Sequence, residues 1–141
     1  MKKSFILTVS PFPGCYRHIQ IDEKNTLHDL HDAIMDAFDF DDDHLHIFFM
    51  DNKPWSYHNQ YICPRVDDLD SAKAFTNEVK LSQFHLEKGD KFLYIFDFGD
   101  EWRFQIKVLR EVEEETKLAY VKKSVGKVSQ YGEIEDEDDW E

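Results

Sequence analysis

Apolar residues fall on alternate positions through two consecutive stretches of the chain. Phe92, Tyr94, Phe96 and Phe98 share one face of the first, and Leu93, Ile95 and Asp97 share the other, as the two-residue period of a strand requires. Both faces are mostly apolar, so this strand is expected to be buried on both sides. Beyond Gly99-Asp100, Trp102, Phe104, Ile106 and Val108 alternate with Arg103, Gln105 and Lys107, which predicts a strand with one wet face. Glycine reaches positive φ at no steric cost and aspartate bonds nearby amides, so Gly99-Asp100 is the expected tight turn. Asp97 interrupts the apolar pattern. An unpaired carboxylate there is costly, so it needs a partner: the turn amides, the Trp102 indole, Arg103 or a histidine.

The same period predicts strands over 3–10 and 16–21, joined by Pro11-Phe12-Pro13-Gly14 into a hairpin. Leu27, Leu30, Ile34 and Phe38 recur at helical spacing, and Thr26 with Asp29 three residues later supplies a capping-box start. A helix is expected from there to Phe38 or Asp39. Further strands are expected over 44–50 and, after an Asp51-Asn52 turn, over 53–58, with Pro54 confining the return strand to an edge. Residues 59–77 show no clean period, a long connection for a compact domain and a candidate lid. A short helix around Leu69 to Phe75 would shorten it. Residues 79–81 read as a brief strand, Ser82 as the cap of a helical turn, and 118–125 as the final strand. The sum is a single α+β domain over 1–131, with a mainly antiparallel or mixed sheet of about six to seven strands packed against one principal helix. An acidic tail follows over 132–141.

With 141 residues, 41% of them hydrophobic, the chain sustains one core, and its 12 Phe suit a packed sheet. No apolar run approaches the roughly 20 residues of a membrane span, and the amino terminus lacks a secretory pattern, so a cytoplasmic location is expected. Cys15 and Cys63 belong to no metal-spaced pair and read as buried thiols. The net charge of −13 has the wrong sign for neutralising phosphates, and direct nucleic-acid binding is not expected. Seven of the negative charges lie between Glu133 and Glu141 without a base. That tail reads as a solvated segment or, alternatively, as a docking peptide anchored by Ile134 and Trp140.

The segment Phe96-Asp97-Phe98-Gly99-Asp100-Glu101-Trp102 resembles the Tyr-Asp-Phe-Gly-Asp-x-Trp hairpin of the plasmid pRiA4b ORF-3-like family. Thr26-Leu27-His28-Asp29-Leu30-His31 with Ile34, and His44-Leu45-His46-Ile47-Phe48, look like that family's helix and following strand. The resemblance covers nearly the whole body. It implies an α+β domain carried on plasmids and mobile elements, with no established activity. Two departures stand out: Gly14-Cys15-Tyr16-Arg17 replaces the family's Pro-Trp-Arg, and 124–132 replaces its Pro-Pro-Glu-Asp segment.

The candidate chemistry lies in the histidines. His28, His31 and Asp32 at i, i+3 and i+4 share a helix surface, while His44 and His46 point to one side of the next strand. Together with Asp97 or Asp100 they form a candidate transition-metal site. Against this, the His-Glu-x-x-His motif, the Gly-x-Ser-x-Gly elbow and glycine-rich phosphate loops are all missing from the sequence. Arg17, Arg65, Arg103 and Arg110 form no sequence cluster suited to a recombinase. The leading expectation is a non-enzymatic module without a cofactor that binds a protein partner through Trp102 or the tail residues Ile134 and Trp140. A metal-binding protein or metal-dependent hydrolase is the alternative, and an acidic DNA mimic the weaker one.

Overall fold

The computed structural model describes residues 3–56, 59–66 and 72–130. Its strands are β1 (Ser4–Phe12), β2 (Cys15–Asp22), β3 (His46–Phe49), β4 (Gln60–Ile62), β5 (Ala74–Phe75), β6 (Lys91–Phe96), β7 (Trp102–Val112) and β8 (Tyr120–Val125). They form one sheet in the order β5-β4-β3-β6-β7-β1-β2-β8. Every pairing is antiparallel except β4 with β5. One helix, α1 (Leu27–Phe38), covers a face. The molecule is thus the expected α+β domain, with eight strands where about six to seven were anticipated. Among the described residues no helix is long and apolar enough to cross a membrane.

The helix starts where its cap dictates. Asp29 N–H donates to Thr26 Oγ1 at 3.1 Å, and Asp29 Oδ2 accepts from Thr26 N–H at 2.9 Å, a complete capping box. It ends at Asp39, whose left-handed φ of 57° turns the chain. The stripe of Leu27, Leu30, Ile34, Met35 and Phe38 is buried against Phe5, Leu7, Val9, Phe96 and Phe104 on the sheet. Truncating one of these large side chains costs about 2–5 kcal/mol. The opposite sheet face holds a smaller cluster of Ile47, Phe49, Leu93 and Ile95, so β6 is buried on both sides, as its sequence predicts.

Several local expectations are corrected. The return strand is β4, and 53–56 form no strand; residues 57 and 58 lie outside the described set. Asn52 and Trp55 adopt left-handed φ of 61° and 59° around Pro54, so the chain loops and seats Trp55 edge-on to Phe49 and Phe98. The short helix over 69–75 fails at Ala74–Phe75, which instead give the outer edge of β4 a parallel partner; residues 69–71 lie outside the described set. Lys80 makes only an isolated bridge to Thr26, flanked by 3₁₀ turns at Thr76–Glu78 and Leu81–Phe84, so 79–81 is no strand. Ser82 lies inside the second of these turns and does not cap it. In the β6–β7 hairpin the positive φ falls on Asp97 (63°) and Glu101 (54°), not on Gly99. Aspartate tolerates it because Asp97 Oδ1 accepts from the Gly99 and Asp100 amides at 3.2 and 3.3 Å.

Candidate metal centre

Two histidines sit in the apolar layer between α1 and the sheet. His31 lies on the buried stripe of α1, and His46 opens β3; they are 0% and 1% exposed. Their rings stack with centroids 3.8 Å apart, and His28 from the same helix lies edge-on to both at 5.4 and 5.5 Å. Helical spacing brings His28 and His31 together, and the β3–β6 pairing supplies Tyr94 beside them. Its hydroxyl lies 2.5 Å from His31 Nδ1. Thr76, fully buried in the first 3₁₀ turn, places its hydroxyl 2.8 Å from His46 Nε2.

The remaining two ring nitrogens are not satisfied. Nδ1 of His46 has no hydrogen-bond partner. Nε2 of His31 meets only the Asp42 carboxylate, 3.0 Å away at ion-pair distance, and has no further hydrogen-bond partner. A buried polar atom left in this state costs about 1–3 kcal/mol. Burial pushes the pKa of both histidines below the usual value. For His31 it outweighs the opposing pull of Asp42, and for His46 the neighbouring His31 and His28 add to it. Both rings are therefore neutral at physiological pH, the form that ligates metals. Burial alone would raise the Asp42 carboxyl, but His31 and the Arg65 guanidinium outweigh it and hold it below the usual range. Because His31 is neutral, its contribution is dipolar and Arg65 is the lasting charge partner. The Arg65 Nη2 donates to Asp42 Oδ1 at 2.6 Å and to its carbonyl at 2.9 Å.

Asp32, one turn from His28, completes the arrangement. One donor atom each from His31, Asp32 and Asp42 lies within 4.8 Å of the others. His28 Nδ1 is 3.5 Å from Asp32 Oδ2 and holds that carboxylate from the side. The group is open to solvent on its carboxylate side, where the Asp32 and Asp42 side chains are 57% and 34% exposed. One imidazole and two carboxylates suit Mn²⁺, Fe²⁺ or Zn²⁺ and leave coordination positions open. The hydroxyl, imidazole and carboxylate of Tyr94, His31 and Asp42 have the connectivity of a nucleophilic triad. Burial excludes that use: Tyr94 is 0% exposed and its pKa is pushed well up, so no substrate reaches a tyrosinate there.

The sequence candidates therefore divide. His28, His31 and His46 meet. His44 stands outside β3, with Nδ1 2.6 Å from Asp43 and Nε2 3.6 Å from Asp97. Asp97 is 6% exposed and organises the hairpin turn, while Asp100 is exposed and engages it only through its amide. Trp102 is half-buried and packs on Phe40 and Phe104. Ile134 and Trp140 lie outside the described residues. Sequence reading missed Asp42, Tyr94, Thr76 and Arg65. Only Asp42 carried a signal, as part of the aspartate run between the helix and the histidines of β3; Tyr94 read as one more core aromatic.

No curated protein is similar enough to match the chain. A solved structure of a protein of unknown function from Methanosarcina mazei Go1 is similar, with a TM-score of 0.66 and 27% identity over 86% of this chain and 67% of that one. The model of the plasmid pRiA4b ORF-3-like proteins matches residues 8–136, and the chain belongs to that family.

Proposed function

We propose that this protein binds a divalent transition-metal ion through His31, Asp32 and Asp42. The observation that carries the reading is the convergence on a fully buried imidazole of two carboxylates: Asp42 lies 3.0 Å from Nε2 of His31, and Asp32 brings a third donor atom within 4.8 Å. The hydrogen bond between Nδ1 and Tyr94 gives the ring the outer-shell partner that metal-ligating histidines require; with the proton on Nδ1, the Nε2 lone pair is free. A second feature points the same way. The carboxyl end of α1 carries Asp36 and Asp39, followed by Asp41, Asp42 and Asp43, with no base in the last turn. Carboxylates there face the negative end of the helix dipole, a cost that a bound cation offsets.

The test is equilibrium binding of Mn²⁺, Fe²⁺ and Zn²⁺ to chain purified without a histidine tag or chelator. One equivalent is expected to bind and to raise the melting temperature. Asp32→Asn and Asp42→Asn alter accessible side chains rather than the core, so both variants are expected to fold and to lose at least about tenfold to a hundredfold in affinity. Absence of stoichiometric binding at about 100 μM of all three ions, or unchanged affinity in both variants, would overturn the proposal.

A further inference from the structure

The charge of the chain is unevenly distributed. From Thr116 to Gln130 there is no acidic residue, and Lys117, Lys122, Lys123 and Lys127 make this stretch basic in a protein of net charge −13. The same stretch contains β8, the last strand of the sheet, whose outer edge pairs with no strand among the described residues. Three of the five exposed large hydrophobic side chains among the described residues also lie here: Leu118 at 82%, Tyr120 at 45% and Val121 at 39% exposure. An open edge offers unpaired amides and carbonyls to an extended chain. Exposed apolar groups beside it supply side-chain contacts.

The lysines decide which chain fits. Lys122 is the extra residue of a bulge, because the pairing with β2 shifts between His18↔Lys123 and Ile19↔Val121. A bulged, lysine-bearing edge discourages pairing with a second β8, since lysines would face lysines. It does not discourage an acidic strand: Tyr120 and Val121 point to opposite faces of the sheet, as do the consecutive lysines, so carboxylates on one face of an alternating strand meet a lysine while its apolar residues on the other meet Tyr120 or Val121. We infer that the outer edge of β8 is a docking site for an acidic, extended segment of a partner protein, added to the sheet as a ninth strand. This site is independent of the metal centre.

The experiment is a titration of the isotopically labelled full-length chain with a synthetic peptide alternating glutamate and valine, and with its lysine–valine counterpart, followed by amide resonances. The glutamate peptide is expected to shift amides within 118–125 saturably. The charge-reversed double variant Lys122→Glu/Lys123→Glu, and raising salt to about 0.5 M, are each expected to weaken binding at least about tenfold. The thermal midpoint of the variant, whose changes are both exposed, reports that it is folded. Absence of shifts at about 1 mM peptide, equal binding of the lysine peptide, or shifts outside this edge would overturn the inference. So would β8 amides already protected from exchange in the free chain and released by neutralising Glu133 to Glu141, because that result gives the edge to the chain's own tail.

Discussion

The molecule holds two polar insertions in an aromatic core, and they are finished to different degrees. At the β6–β7 hairpin, the Asp97 carboxylate accepts from two turn amides and meets His44, while its backbone N–H donates to Leu45 and its carbonyl accepts from Glu101. No Asp97 side-chain atom is among the buried atoms left without a hydrogen bond. Some positions away on the same sheet, His31 and His46 are buried as deeply, yet each retains a ring nitrogen without a directed partner. Folding tolerates a polar group in a core when its bonds are complete. The histidine cluster breaks that rule, and the unfinished nitrogen of His31 faces two carboxylates instead of hydrocarbon. The hairpin, for all its prominence in the sequence, has the economy of a structural device; the histidine cluster has the incompleteness of a site.

The sharpest way to separate the two regions is acid. Both buried histidines have folded pKa values below the unfolded value near 6.5. Below that pH the unfolded chain takes up protons that the folded chain refuses, so stability is full above about pH 6.5 and falls as pH falls toward the depressed folded values. For His46, whose pKa is lowered furthest, the slope approaches about 1.4 kcal/mol per pH unit, and His31 adds to it in the same direction. Denaturant melts of metal-free protein between about pH 6.5 and 5 should therefore show a loss of at least about 1–2 kcal/mol. A stability flat across this interval would mean that both rings are protonated in the fold, and the picture of a neutral, metal-ready pair would be wrong.

The hairpin is tested by Asp97→Ala. Alanine removes the acceptor of two turn amides and must hold a left-handed φ of 63° without a compensating bond. A destabilisation of about 2–3 kcal/mol is expected. Asp97→Asn keeps an oxygen acceptor and a residue that visits this conformation, so its cost should stay below about 1 kcal/mol. Metal affinity is expected to be unchanged in both, since Asp97 contributes no atom to the group of His31, Asp32 and Asp42. A variant that folds well but loses metal would merge the two regions into one site.

How much of this was legible in the chain follows the range of the interactions involved. Period-two and helical spacing identified the two hairpins and α1, and Thr26 with Asp29 marked where the helix begins, because those signals are carried by residues a few positions apart. The failures occurred where distant contacts decide. Residues 53–56 became a loop because Trp55 finds Phe49 and Phe98, and Ala74–Phe75 became a strand because β4 had an open edge. His28 and His31 were recognisable as neighbours from spacing alone. Tyr94 and Thr76 join them through the β3–β6 pairing and the turn after β5, and no local pattern encodes that meeting; Asp42 comes from the connection between α1 and β3. The hairpin motif drew attention to Asp97 as a possible ligand, whereas its oxygens are directed to the amides two and three residues ahead.

The smallest expected effect is also the most discriminating. His31→Leu/Tyr94→Phe replaces an incompletely bonded pair by hydrocarbon of similar volume and leaves neither the Tyr94 hydroxyl nor the Nε2 atom stranded. When both partners of a buried polar contact are replaced together, the change is near neutral or favourable. The double variant should therefore match the parent within about 1 kcal/mol at neutral pH, with the His31 share of the acid-dependent loss removed and metal binding abolished. His31→Leu alone should be less stable than the double variant, since it orphans the Tyr94 hydroxyl. If the double variant is instead destabilised by several kcal/mol, the His31 and Tyr94 contacts form a completed structural network like that of Asp97. The contrast between an answered and an unanswered buried group would then disappear, and with it the physical reason for placing a metal at His31.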